Sequence, residues 1–410
     1  MKLFRSKSAP VLMVVLTVIA YTGYIASCTN EDQVLDEFVQ GRPNFSETEL
    51  VSVFTNTPPT VDGIAEEMWE NVTALKTRTT VPNQLGPENV PANFQGYGGK
   101  SYNVSMKSLY DNENIYFLIE WDDNTLSLDR ETWYFDPVDK RWKQESRYPT
   151  FNSDGVMIRE AFYEDKFAFL WNIDKSVADW NTATCYKSCH TGLGAAAGYS
   201  RHFTNAPSER IDMWHWKLVR EGAFGTFDDQ YQDDAQPNGR KSDPRVAGTG
   251  YYDNKQSLTL TGTSTSVSVP KYVIPSRKYY YWITQEEIYN GTAKLITAVD
   301  ADGILTYDGG TIDPNTDTDF QRAGSRSGAK GIPSITNSKV QGNEGDITAL
   351  WKHTGSGYVM EVKRKLNTGD LEKVDINFSD LSDQYFGIGV FENAALAHAI
   401  KANLLLKFKK

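Results

Sequence analysis

Cysteine is almost absent from this sequence. There are three in 410 residues, at Cys28, Cys185 and Cys189. Basic charge is also short, with 42 Lys and Arg against 53 Asp and Glu and a formal net charge of −11. An acid excess of that size excludes a nucleic-acid binder, which has to neutralise phosphates with Lys and Arg. It suits docking to a basic partner and also serves solubility. Long periodic helices are scarce, and no internal repeat is present. No Ser-His-Asp pattern, phosphate-cradling glycine loop or H-E-x-x-H string is found, so the usual hydrolase and nucleotide-binding signatures are missing.

What is present begins at the N-terminus. Lys2, Arg5 and Lys7 precede an apolar run from Ala9 to Ile25, with no acid among the first 27 residues. The run is broken by Tyr21, Thr22 and Tyr24 and is short for a membrane span. A basic start, a short apolar stretch and small residues at its end describe an export signal over residues 1–27. Ile25-Ala26-Ser27-Cys28 resembles a bacterial lipobox, which implies cleavage before Cys28 and lipidation of that residue. Several acyl chains hold a protein firmly to a membrane surface. The alternative is an ordinary signal peptide with an incidental cysteine. Loss of the leader removes three cations, leaving the mature chain three charges more negative than −11. Residues 28–46 are polar and read as a flexible tether, with Asn30-Glu31-Asp32-Gln33 close behind the cysteine. The globular domain is expected over 47–410.

The other two cysteines stand in Cys185-Tyr186-Lys187-Ser188-Cys189-His190. This is C-x-x-x-C-H, one residue longer than the C-x-x-C-H of c-type haem attachment. Two thiols add across the haem vinyl groups, and the neighbouring histidine supplies an axial nitrogen to iron. The expectation is one covalent haem c on Cys185 and Cys189, with His190 as axial ligand. A local disulfide and part of a zinc site are the competing readings. Zinc would want a fourth ligand, and no further cysteine is free once Cys28 is lipidated. Export agrees with covalent haem, because c-type haem is attached outside the cytoplasm.

The rest reads mainly as strands, with 12% aromatic residues and recurrent β-branched runs. Strands are expected at Leu50–Phe54, 155–157, 167–172, 278–284, Gly357–Lys365, 373–378, 386–391 and 404–409. Residues 101–110 and 115–121 should form a hairpin through Asp111-Asn112-Glu113-Asn114. Residues 258–270 alternate as a sheet with one wet face would. A short helix opens at Glu66–Trp69, and 394–402 reads as a helical turn or loop. The Gly-, Asp- and Asn-rich stretches 228–248 and 308–331 read as surface loops. Asp122-Asp123 and Asp228-Asp229 are expected to be solvated turn acids.

These segments carry a resemblance. Tyr110-Asp111-x-x-Asn114-Ile115-Tyr116-Phe117, Glu120-Trp121-Asp122-Asp123 and Glu164-Asp165-Lys166 are parts of it, as is Leu170-Trp171-Asn172-Ile173. So are Asp212-Met213-Trp214-His215-Trp216-Lys217, the stretch from Lys363 to Asp370, and Gly389-Val390-Phe391-Glu392-Asn393. Together they are similar to the ethylbenzene dehydrogenase-type haem-binding domain, over roughly Val51 to Lys410. The resemblance implies an all-β fold: a β-sandwich like a carbohydrate-binding module, with long loops and a few short helices forming a haem pocket. It also implies either the haem subunit of a dimethyl-sulfoxide-reductase-like molybdenum oxidoreductase or a free-standing c-type cytochrome. The dehydrogenase subunit carries b-type haem on methionine and lysine, whereas this chain has cysteines and a histidine.

A second axial ligand is then needed. On a strand, Met213, His215 and Lys217 share one face and Trp214 and Trp216 the other. The candidates are His215, Met213, Lys271 (by analogy with the family's lysine) and His202, on a Gly/Ala-rich stretch. His353 and His398 read as surface or packing residues. The expected function is a membrane-anchored mono-haem c-type cytochrome in extracytoplasmic electron transfer. It would be an electron carrier rather than a catalyst, with a redox partner protein that could be a molybdenum-enzyme subunit. Its place would be the periplasmic or cell-surface side of a bacterial membrane. The competing class is a non-redox ligand- or carbohydrate-binding lipoprotein on the same sandwich.

Overall fold

A computed structural model describes residues 45–82, 96–154, 156–189, 202–321 and 329–409. The chain divides into Met1–Phe45 and Ser46–Lys410, and the architecture below is that of the second unit.

One thirteen-stranded sheet organises it. From one edge the order runs Arg240–Ser242, Asp228–Gln232, Ile211–Lys217, Lys166–Asn172, Gln384–Phe391, Ala399–Lys409 and Glu49–Phe54. It continues through Ser101–Tyr110, Asn114–Asp122 and Gly357–Lys365 to Thr348–His353, with Ala74–Thr80 beside Ser101–Tyr110. Most neighbours are antiparallel, but Glu49–Phe54 runs parallel to both of its own.

The sheet folds over into two layers. Phe117 lies 5.8 Å from Phe169 and 6.0 Å from Trp214, and Trp121 lies 5.1 Å from Phe167 and 5.8 Å from Trp216. The strands bearing these rings are not neighbours in the sheet, so the contacts cross from one layer to the other. The fold is therefore a β-sandwich, and its main core is this aromatic stack. The two ends of the sheet meet at a bridge between Thr226 and Thr348. A second core, around Trp133, Phe135, Trp142, Ile296 and Leu305, lies under the smaller sheets inserted between the Arg240–Ser242 and Thr348–His353 strands.

The hairpin forms as its sequence dictates. Tyr110 pairs with Ile115, and Asp111 Oδ1 accepts the N–H groups of Glu113 and Asn114 at 2.8 and 2.7 Å. That is an Asx turn, the local bond that makes aspartate a good turn residue.

Several expectations are corrected. Residues 228–248 are not a surface loop, because Asp228–Gln232 and Arg240–Ser242 are strands of the main sheet. Asp228 and Asp229 are 1% and 0% exposed rather than solvated, and Asp123 is also buried. Polar residues occupy this buried edge because Lys217, at the end of the neighbouring strand, pairs with Asp228, and Arg364, from far along the chain, reaches Asp229. Residues 373–378 are not a strand, because side chains replace the ladder. Asp370 Oδ2 accepts the Val374 N–H at 2.6 Å, and Asp212 Oδ2 accepts the Ile376 N–H at 2.8 Å. Of 278–284 only Ile283–Thr284 is a strand, since the Tyr280 hydroxyl turns back to accept the Ile274 N–H at 2.8 Å. The strand expected at 155–157 lies instead at Met157–Arg159, Gly155 being outside the described residues. Within 308–331, Gly310–Ile312 is a strand and Thr318–Gln321 a short 3-10 turn. The 394–402 stretch is loop to His398 and strand from Ala399.

Candidate functional site

Strand alternation builds the site. Trp214 and Trp216 point into the main core, while Met213 packs on the opposite face with Leu170, Cys185 and Ile400. In register, Met213 lies opposite Leu170, His215 opposite Ala168, and Lys217 opposite Lys166. On the next strand Gly387 and Gly389 lie opposite Leu170 and Ala168. This makes a floor with little side chain across three strands. A Cβ on Gly387 would meet Thr184 Oγ1 at 3.4 Å and Cys185 Sγ at 3.6 Å; one on Gly389 would meet the His398 ring at 3.3 Å. The two glycines let the cysteine segment and a histidine close on the sheet.

Cys185 sits on a short helical segment, Trp180–Ala183 followed by Thr184–Lys187, and Cys189 follows two residues beyond its end. The Cys189 N–H donates to Cys185 O at 2.9 Å, one helical turn apart. Both cysteines line the pocket, and no disulfide joins them. The segment is anchored from outside. Trp180 Nε1 donates to Tyr385 O at 2.8 Å, and Asn403 Nδ2 donates to Thr182 O at 2.8 Å. Burial and the neighbouring Cys189 push the Cys185 thiol up to about 12. Gln232 Nε2 reaches both Met213 Sδ, at 3.5 Å, and Cys189 Sγ, at 3.7 Å.

Around these sulfurs stand His202, His215 and His398, with Arg240, Phe391 and Leu396. His215 is 3% exposed, and neither ring nitrogen has a hydrogen-bond partner among the described residues. Burial, then Lys217 and Lys166, hold its pKa well below the usual value, so its ring is neutral. His202 is lowered to about 4 by burial and by Arg240. His398 is lowered to about 4, chiefly by burial, and its ring stacks on Phe391 at 4.4 Å. Its Nδ1 donates to Leu396 O at 2.7 Å, so Nε2 carries the lone pair in that tautomer. No carboxylate pairs with Arg240 among the described residues. The free space between these side chains is about 70 Å³.

Of the sequence candidates, the fold brings together Cys185, Cys189, Met213, His202 and His215. Lys271 is not among them: it adjoins the inserted sheet, its ammonium 5.3 Å from the Tyr272 ring. Lys217 is taken up by Asp228 and Glu221. His353 lies elsewhere, with Nε2 3.1 Å from Asp123 O. His190 and Cys28 lie outside the described residues. Sequence reasoning missed His398, which was read as packing, and it missed Arg240 and the paired glycines. The alternation Gly387-Ile388-Gly389 was the one legible signal for the floor.

The sequence profile of ethylbenzene dehydrogenase matches residues 66–402. The chain belongs to the ethylbenzene dehydrogenase family. Membership implies an oxidoreductase-related, electron-transfer role in association with a molybdenum-enzyme subunit. No match is found among curated proteins. Among solved structures, the chain is similar to a family 9 carbohydrate-binding module from Caldicellulosiruptor kristjanssonii in complex with glucose. That likeness has 9% identity and a TM-score of 0.27, covering 88% of this chain and 95% of the other. The same module in complex with cellotriose gives 10% identity and a TM-score of 0.28, covering 88% and 93%. At those scores neither bears on ligand or mechanism. The sandwich rests on the ring contacts between layers.

The donor set can be tested against a haem. Two thiols on one helical turn, a thioether, neutral imidazoles and an arginine for carboxylates are groups that such a cofactor uses. The orphaned nitrogens of His215 ask for a partner that no described residue supplies. A macrocycle needs more room than 70 Å³, so to hold one these walls would have to stand further apart.

The glycine floor carries a prediction. Gly387→Val should push the Cys185 turn off the sheet, because branched methyls extend beyond contacts of 3.4 and 3.6 Å. In haem-free protein, alkylation of Cys185 should then run at least about tenfold faster than in wild type, as a buried thiol becomes exposed. Mass spectrometry of the Cys185 peptide over time measures it.

Proposed function

We propose that the protein is an exported, lipid-anchored mono-haem c-type electron carrier, acting alone or as the haem subunit of a molybdenum oxidoreductase. Cys185 and Cys189 hold the haem covalently, His190 gives one axial nitrogen, and His215 gives the second. The haem supplies one-electron cycling of iron between ferrous and ferric states. The chain's own residues bind it, exclude water with Leu170, Ile388, Phe391 and Ile400, and set its environment. Arg240 offers a cation at the pocket for a propionate. Cys28 carries the acyl chains that hold the protein at a membrane surface, where its net negative charge suits a basic partner.

The observation that carries this reading is His215, a buried neutral imidazole with both nitrogens unpartnered among the described residues, in the same pocket as the two cysteines. His215 is preferred over Met213 because the Met213 sulfur already receives the Gln232 amide.

The test is a visible spectrum of protein matured in a host competent for c-type haem. The expected result is red protein whose haem stays with the polypeptide through acid–acetone extraction. Colourless protein from that host overturns the proposal. In His215→Ala, the ferric absorption and magnetic spectra should change their ligand-field signature; an unchanged spectrum removes His215 as ligand. A pull-down of native protein separates carrier from subunit, since a large molybdenum subunit co-purifies only in the second case.

A further inference from the structure

The opposite face of the Ile211–Lys217 strand holds a second concentration of chemistry. Asp212, Asp229 and Asp375 are all buried, and one carboxylate oxygen from each lies within 4.8 Å of the others. Asp243 and Asp346 stand next to them. Among the described residues the buried cation that pairs with the first three is Arg364, 1% exposed. It is 3.5 Å from Asp212, 3.9 Å from Asp229 and 3.0 Å from Asp375. One guanidinium against the four buried carboxylates of Asp212, Asp229, Asp243 and Asp375 leaves a buried excess of negative charge. A low-dielectric interior does not tolerate that unless protons or a cation neutralise it.

Asp243 shows where the deficit lies. It is 3% exposed, neither of its oxygens accepts a hydrogen bond, and the group it faces is another carboxylate, Asp375. Asp212 Oδ1 and Asp346 Oδ1 are likewise unpartnered, and Asp229 Oδ2 is met only by Arg364 across 3.9 Å. Buried oxygens of native proteins are normally satisfied, so this many together point to a missing partner.

We propose that this cluster is a calcium site. The donors are all carboxylate oxygens, which select a hard cation over zinc, copper or iron. Calcium takes roughly six to eight oxygens at about 2.3–2.6 Å, so its ligands lie at most about 5 Å apart, as the oxygens of Asp212, Asp229 and Asp375 do. Magnesium asks for a stricter octahedron and keeps several waters, which suits a cluster 0–7% exposed at Asp212, Asp229, Asp243 and Asp375 less well. Asp212, Asp229 and Asp375 are the central ligands, and Asp243, which faces Asp375, adds to the shell.

The site has a structural consequence. Asp212, Asp229 and Asp243 come from three consecutive strand segments at the edge of the sheet, and Asp375 comes from a segment with no ladder of its own. An ion there ties these together. The same three strands carry Met213, His215, Gln232 and Arg240. The calcium therefore braces the pocket from behind without belonging to it.

The experiment uses the full-length protein as purified from a haem-competent host. After equilibration with calcium and gel filtration, elemental analysis should find about one calcium per chain. A calcium chelator should lower Tm by about 5 °C or more, and calcium but not magnesium should restore it. Terbium offers a second readout. Trp214 Nε1 donates to Asp212 Oδ2 at 3.0 Å, so tryptophan excitation should sensitise terbium emission that calcium quenches. Asp243→Asn keeps the side-chain shape. It should weaken calcium binding at least about tenfold while leaving the far-UV circular dichroism unchanged. Calcium-free protein whose Tm ignores chelator overturns the proposal and leaves protons as the neutralising charge. So does an Asp243→Asn variant that folds and binds calcium as tightly as wild type.

Discussion

Replacing both cysteines, Cys185→Ala with Cys189→Ala, should abolish covalent haem altogether. The polypeptide from a haem-competent host should have the mass of the apoprotein, and acid–acetone should leave it colourless. Each single variant should keep a haem on one thioether, with the reduced absorption maximum shifted to longer wavelength by the vinyl group left unreacted. The two single variants should differ in yield. Cys185 is the more enclosed sulfur, packed with Leu170, Trp180 and Met213, whereas Cys189 is only partly buried beside Gln232. Fixing the haem through Cys185 should hold it deeper and give the more stable of the two single-thioether forms. The fold should survive the double change. Alanine removes only a sulfur from each site, and the turn is anchored by Trp180, Thr184 and Asn403 rather than by the thiols. A double variant that still carried haem through organic extraction would show that the attachment lies elsewhere. Pyridine haemochrome spectra with intact-mass spectrometry measure all three proteins.

The sandwich was legible because its strands are long and locally consistent. Gly357–Lys365 and the Ser101–Tyr110 hairpin are rich in aliphatic and aromatic residues and are bounded by Asp, Asn and Gly. The two faces of Ile211–Lys217 were legible for the same reason. Period two places Met213 and His215 on one side and the tryptophans on the other, and the core clusters divide that way. The edge at Asp228–Gln232 was hidden, because composition reads Asp-Asp-Gln as solvent-facing. Lys217, on the neighbouring strand, and Arg364, distant in sequence, make it tolerable inside. Residues 373–378 misled for the converse reason. Val374, Ile376 and Phe378 alternate as a strand would, yet their N–H groups go to Asp370, Asp212 and Leu366 O. His398 was invisible because nothing local distinguishes a pocket histidine from a packed one. Its place is set by Phe391 and the gap at Gly389, which only the fold assembles.

Glu164→Ala should cost the domain roughly 3–5 kcal/mol, the usual cost of stripping one partner from a buried ion pair. Glu164 is fully buried beside the floor strand of the pocket. Its Oε1 pairs with Arg220 Nε at 2.6 Å and Arg130 Nε at 3.3 Å. Its Oε2 accepts the N–H groups of Val219 and Arg220 at 2.7 and 3.1 Å. The carboxylate thus joins the loop before Lys166 to the turn that follows Lys217. Burial alone would raise its pKa, but Arg220, Arg130 and Lys166 outweigh that and hold it below the usual value. It is therefore ionised at neutral pH. Without it, Arg220 would lose its only ion-pair partner among the described residues, and Arg130 would keep just Glu131 at 3.9 Å. Two guanidiniums, each under 10% exposed, would then face Lys166 and Lys217 with less negative charge between them. Glu164→Gln should recover part of the loss, because an amide oxygen still accepts the two backbone N–H groups while the charge is gone. Thermal unfolding of the three proteins measures the order, wild type above Glu164→Gln above Glu164→Ala. A Tm for Glu164→Ala within about 1 °C of wild type would show that the cluster is neutralised some other way. The damage should also reach the pocket. Lys166 and Lys217 border the strands that carry Ala168 and His215, so the alanine variant should hold haem less uniformly, read as a broadened reduced absorption band.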